Sequence, residues 1–81
     1  GLEYLSSILE AIINNRVIKF IYSKFSEDES KDHTVEPYHL KEFDGRWYLL
    51  AMLSKGMTIF SLDRIDELKV TTKVFKRNKK I

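Results

Sequence analysis

The sequence predicts a mainly β fold: one N-terminal α-helix, then five short strands bent into a small barrel. Three observations carry that expectation. Apolar residues recur at helical spacing only near the N-terminus, at Leu2, Leu5, Ile8, Leu9, Ile12 and Ile13. After Arg16 the pattern changes to short runs of β-branched and aromatic residues, which suit strands. Tight-turn signals separate these runs, among them Asp44-Gly45 and Lys55-Gly56. Short strands on tight turns favour a curved sheet, and closing it would hide its edges. An open sheet with the helix packed on one face is the alternative.

In chain order, the apolar stripe predicts a helix over roughly residues 3–15, stopped by Asn14 and Asn15. Arg16 to Lys24 reads as the first strand, with Lys19 and Tyr22 on opposite faces by alternation. Ser26 to Asp32, with the acids Glu27, Asp28, Glu29 and Asp32, reads as a solvated loop. His33 to Phe43 is the second strand, and Pro37 places that part at an edge or a bend. Asp44-Gly45 suits a two-residue hairpin turn, because both residues tolerate positive φ. The run that follows, Trp47 to Leu53, is hydrophobic throughout. Its alternate residues Trp47, Leu49, Ala51 and Leu53 make one apolar face, while Arg46, Tyr48, Leu50, Met52 and Ser54 make a mixed one. This is the expected central strand, and the single Trp is expected to anchor the core. Met57 to Leu62 is the fourth strand, Asp63 to Leu68 a single helical or 3₁₀ turn, and Lys69 to Phe75 the fifth strand. Lys76-Arg77 and Lys79-Lys80 read as a solvated basic tail, with nucleic-acid contact as the alternative.

Eighty-one residues suffice for one small domain, 1–81, and the basic end at 76–81 reads as the start of a linker from a longer protein. A domain of this size buries about 60% of the surface its unfolded chain exposes. The absence of cysteine excludes a disulfide scaffold, thiol chemistry and a Cys-based zinc site, and favours a reducing, cytoplasmic setting. No apolar run approaches the roughly 20 residues of a membrane span, and no signal-peptide pattern is present, so no membrane partner is expected. The net charge of +2 is too small by itself to indicate a nucleic-acid binder.

A two-residue turn at Asp44-Gly45 sets Lys41 opposite Tyr48, His39 opposite Leu50 and Phe43 opposite Arg46. Cross-strand partners share a face, so His39, Lys41, Arg46 and Tyr48 gather on the mixed face, away from Trp47, Leu49 and Leu40. Cations beside a ring suit a phosphate-bearing ligand whose bases stack. The plainer reading is an ordinary solvent-exposed face. Arg64 either takes an anion or pairs with Asp63, Asp66 or Glu67 to fix its turn. Tyr4 reads as a surface or linker contact. His33 and His39 stand in no recognised metal-ligand spacing. No nucleophile elbow is present either. No metal, cofactor or enzymatic activity is therefore expected.

These residues resemble the WYL domain family, whose name is the tripeptide Trp47-Tyr48-Leu49. The likeness extends in order over Ala11-Ile12, Ile18 to Tyr22, Pro37-Tyr38-His39-Leu40, Gly45-Arg46-Trp47-Tyr48-Leu49, Phe60-Ser61-Leu62-Asp63-Arg64-Ile65 and Thr72 to Phe75, roughly residues 8–75. The resemblance implies an Sm-like (SH3-like) five-stranded barrel with an N-terminal helix. It also implies a place in a bacterial transcriptional regulator, behind a DNA-binding helix-turn-helix domain outside this chain. Such domains are thought to sense single-stranded nucleic acid or a nucleotide through a basic and aromatic patch. Carried onto this chain, the patch draws on Tyr22, His39, Arg46, Tyr48 and Arg64, with Lys41 added by the hairpin register. One departure stands out: many members carry Arg two residues before the aromatic matched by Phe60, and here that position is Thr58. The second functional reading is a protein-interaction or dimerisation module, such as a homodimer, without a small ligand.

Overall fold

The computed structural model describes residues 2–24 and 29–78. A 3₁₀ turn, Leu2–Tyr4, leads into helix α1, Leu5–Ile13. Five strands follow: β1 Arg16–Ser23, β2 Ser30–Phe43, β3 Arg46–Leu53, β4 Gly56–Ser61 and β5 Ile65–Val74, with a 3₁₀ turn at Leu62–Arg64 between the last two. All pairings are antiparallel and the order is β4-β3-β2-β1-β5. The mainly β fold with an N-terminal helix is therefore the one the sequence predicts. Its sheet is bent but not closed, since β4 and β5 are its two edges.

The bend lies in β2. Residues 30–35 of this long strand pair with β1, and from Glu36 onward it pairs with β3. Pro37 sits at the changeover, where a residue without an N–H does least harm to a ladder. Pro37 faces Ala51 and His39 faces Leu50, so Tyr38 is the extra residue of a bulge. The bulge turns Tyr38 out of the alternation and into a small buried cluster with Val17 and Phe75.

The hairpin geometry follows the sequence closely. Asp44 and Gly45 both have positive φ, 52° and 76°. The pairs Lys41–Tyr48, His39–Leu50 and Phe43–Arg46 form as expected. The next turn is Ser54-Lys55, and Gly56 opens β4 at φ 126°, a conformation that favours glycine. The main core holds Ile8, Ala11, Ile18, Phe20, Val35, Leu49, Ala51, Phe60, Leu62 and Ile65. Helix α1 covers it with Ile8 and Ala11. Leu49 and Ala51 are wholly buried, while Trp47 and Leu53 pack against the cluster from its margin. Trp47 is thus a border residue and not the central anchor.

Further expectations are corrected. Residues 30–32, expected as loop, belong to β2 and pair with Ser23, Tyr22 and Ile21; residues 25–28 lie outside the described residues. The 3₁₀ turn is Leu62–Arg64, and Ile65 already starts β5 because its side chain is buried in the core. Tyr4 packs against the core. Its hydroxyl donates to Asp66 Oδ1 at 3.2 Å and accepts from Glu67 N–H at 3.1 Å. These bonds hold the point where Glu67 takes a positive φ of 48°.

Arg77 is not part of a solvated tail. Its guanidinium donates to the carbonyls of Tyr38 and Ile12, each at 3.0 Å, and of Pro37 at 3.4 Å. Nε donates to Asn15 Oδ1 at 3.4 Å. The charge lies 4.7 Å from the centre of the Tyr38 ring. A half-buried guanidinium answering helix-end and bulge carbonyls satisfies acceptors that the fold leaves open. Residues 79–81 lie outside the described residues.

Candidate ligand groove

Alternation along the strands decides what lies beneath the open end of the sheet. On β1, Ile18, Phe20 and Tyr22 share the inner face, and their partners on β2 are Val35, His33 and Lys31. On β3 and β4 the inner face carries Leu53, Thr58 and Phe60. Helix α1 fills the end near Ile8 and Ala11. The other end remains a groove of about 620 Å³. This lies within the roughly 300–1,000 Å³ of small-molecule sites.

Four rings cluster at the groove. Phe60 lies 5.0 Å from Tyr22, 5.1 Å from Phe20 and 5.1 Å from His33, in steep, edge-on arrangements. Phe20 and Phe60 are buried, whereas Tyr22 and His33 are half-buried and line the groove. Around them stand Lys24, Lys31, Lys55 and Arg64, with Glu29 the one carboxylate among the described residues that line the groove. A concave wall with this excess of one sign focuses potential towards anions. His33 reports that field: burial pushes its pKa below the ordinary value, and Lys31 and Lys55 push it further, against the opposing pull of Asp32.

Tyr22 and Arg64 also bridge the gap that strand pairing leaves. The Tyr22 hydroxyl accepts from Ser61 N–H at 3.0 Å, tying β1 to the end of β4. Nη1 of Arg64 donates to the carbonyls of Lys24 and Ser23. Neither reading of Arg64 foresaw this partner; no acidic neighbour takes it among the described residues. A guanidinium has five N–H donors, so the Nη1 contacts leave others for a ligand.

The six expected site residues divide between two faces. Tyr22 and Arg64 line the groove. Lys41 and Tyr48 flank a shallow apolar hollow of about 270 Å³ on the outer face, with Phe43, Leu50 and Ile59. His39 and Arg46 share that outer face by register and are exposed. Arg46 does not line the groove, so the two arginines do not converge there. Sequence reasoning missed Lys31, His33, Lys55 and Phe60 as groove residues. Pairing Tyr22 with Lys31 would have found two of them, but Ser26 to Asp32 read as a loop and hid the register. Thr58, the departure noted above, lines the groove. Among the described residues, no group of three or more His, Cys, Asp or Glu side chains is placed to hold a metal. Among the described residues, no helix is long and apolar enough to cross a membrane.

The model of the WYL domain family matches residues 3–70. No curated protein matches the chain significantly. Among solved structures, the chain is similar to proteasome accessory factor B/C (PafBC) of Arthrobacter aurescens, with a TM-score of 0.83 and 27% identity. That match covers 90% of this chain and 12% of the PafBC chain.

Proposed function

Since this chain belongs to the WYL domain family, we propose that it is the ligand-sensing regulatory domain of a bacterial transcriptional regulator. The ligand is single-stranded nucleic acid or a nucleotide. The observation that carries this reading is the groove itself, where four cationic side chains surround an aromatic floor. Lys31, Lys55 and Arg64 neutralise phosphate. Tyr22 and His33 offer ring surface to a base. The domain acts in the cytoplasm within a longer protein whose helix-turn-helix binds DNA. Ligand binding regulates that protein only by favouring one arrangement of its domains over another, because a ligand without such preference shifts nothing. No chemistry is assigned to the groove: it holds a ligand and does not transform it.

A second reading is favoured by one observation on the outer face. Phe43 and Ile59 are 67% and 63% exposed beside Lys41, Tyr48 and Leu50. Such a patch suits protein interaction or a homodimer. A labelled single-stranded oligonucleotide, titrated with the full chain and followed by anisotropy, separates the two. Saturable binding that weakens with added salt supports the sensor. Self-association with concentration, unaffected by oligonucleotide, supports the interaction module.

A further inference from the structure

His33 is the one titratable group embedded in the ring cluster of the groove whose charge changes near neutral pH. It lies 5.7 Å from Phe20 and 6.1 Å from Tyr22, as well as against Phe60. Its imidazole makes no protein hydrogen bond among the described residues, and its nitrogens reach solvent. A half-buried imidazole without a partner at the base of a cationic groove is placed to donate to an incoming anion.

We propose that His33 is the proton-linked anion contact of this groove: a phosphate seated by Lys31, Lys55 and Arg64 draws a proton onto His33, so binding tightens as pH falls. The inference rests on the groove being the seat of the ligand. The surroundings determine the sign. Lys31 shares the face of β2 that carries His33, and Tyr22 faces it from β1, while Asp32 and Lys19 stand on the opposite faces of those two strands. Lys55 reaches it from the β3–β4 turn, and Arg64, Lys24 and Glu29 complete the groove side. Behind it, a second hollow carries Glu67 and Lys69 of β5. Without ligand, the cost of desolvation and the positive charge of Lys31 and Lys55 keep the imidazole neutral. A bound phosphate cancels the lysine charges and accepts a hydrogen bond, and both changes favour imidazolium. The proton comes from solvent and no covalent bond is made.

The test uses the full chain and an oligothymidylate with a hydroxyl at each end. Thymine and the phosphodiester do not titrate between about pH 5 and 8, where histidine does. At constant ionic strength, affinity is expected to rise as the pH is lowered across that window. Each unit by which the bound-state pKa exceeds the free-state value gives about a tenfold gain. His33→Gln is expected to flatten the profile and His39→Gln to leave it unchanged. An NMR titration of the His33 ring in the unaltered protein, with and without oligothymidylate, is expected to show its pKa raised by the ligand. Equal pH profiles for the unaltered protein and His33→Gln, or a ligand-insensitive ring, would overturn the inference while leaving the groove as the binding site. Failure of oligothymidylate to bind at any pH would overturn both.

Discussion

Two ends of this small sheet use the same residue types to opposite effect. At one end, Arg77 lies over Tyr38 near Phe75, and its donors meet three backbone carbonyls and the Asn15 side chain. At the other, Arg64 stands beside Tyr22 and Phe60, exposed, and among the described residues only its Nη1 is engaged. An arginine near aromatic rings is therefore not in itself a binding signal. What separates the two is how much of the guanidinium the fold already uses, and whether a concave space remains beside it.

That contrast can be broken experimentally, and Arg77 offers the largest effect. Arg77→Ala removes charged hydrogen bonds to half-buried carbonyls and a cation–π contact, with an expected loss of about 2–3 kcal/mol. Urea unfolding measures it; a loss within experimental error would place Arg77 back in a solvated tail. The affinity of the remaining folded protein for oligonucleotide should not change.

Lys31 and Lys55 should behave in the reverse way. Their joint replacement by Ala is expected to leave the urea midpoint nearly unchanged, as is usual for exposed charges. It should lower the slope of log affinity against log salt by about 1.4, or roughly 0.7 for each lost phosphate contact on a single strand. A smaller change is expected from Thr58→Arg, which adds one cation to the groove wall and should steepen that slope by about 0.7. An unaltered slope would show that position 58 does not face the ligand.

The smallest effect concerns stability and pH. The depressed pKa of folded His33 means that the unfolded chain binds more protons there. The stability it contributes is fully present above about pH 6.5 and is lost as pH falls through the lower folded-state value. Thermal melts should therefore show the unaltered protein losing stability relative to His33→Gln on acidification. The opposite trend would contradict the assigned direction.

Much of the fold is legible in the residues because local signals agree with tertiary ones. Asp44-Gly45 fixes the hairpin, and the hairpin fixes which side chains of β2 and β3 share a face. The groove is less legible, because it depends on pairing between distant segments. Composition marks Ser30 to Asp32 as loop, yet pairing with β1 draws these polar residues into a strand and brings Lys31 and His33 beside Tyr22 and Phe60. Trp47 departs from its expected place for a similar reason. Its apolar neighbours indicate the right face, but its position near the hairpin leaves it at the margin of the core. Nothing local marks Arg77 as structural, since its acceptors are carbonyls of residues 12, 37 and 38.

The most direct test of the groove compares two arginines. Oligothymidylate affinity is measured over a range of salt concentrations for Arg64→Ala and for Arg46→Ala. The groove account predicts weaker binding and a slope lowered by about 0.7 for Arg64→Ala alone, with Arg46→Ala indistinguishable from the unaltered protein. Loss of affinity and slope in Arg46→Ala, with Arg64→Ala unaffected, would move the ligand to the outer face and contradict it.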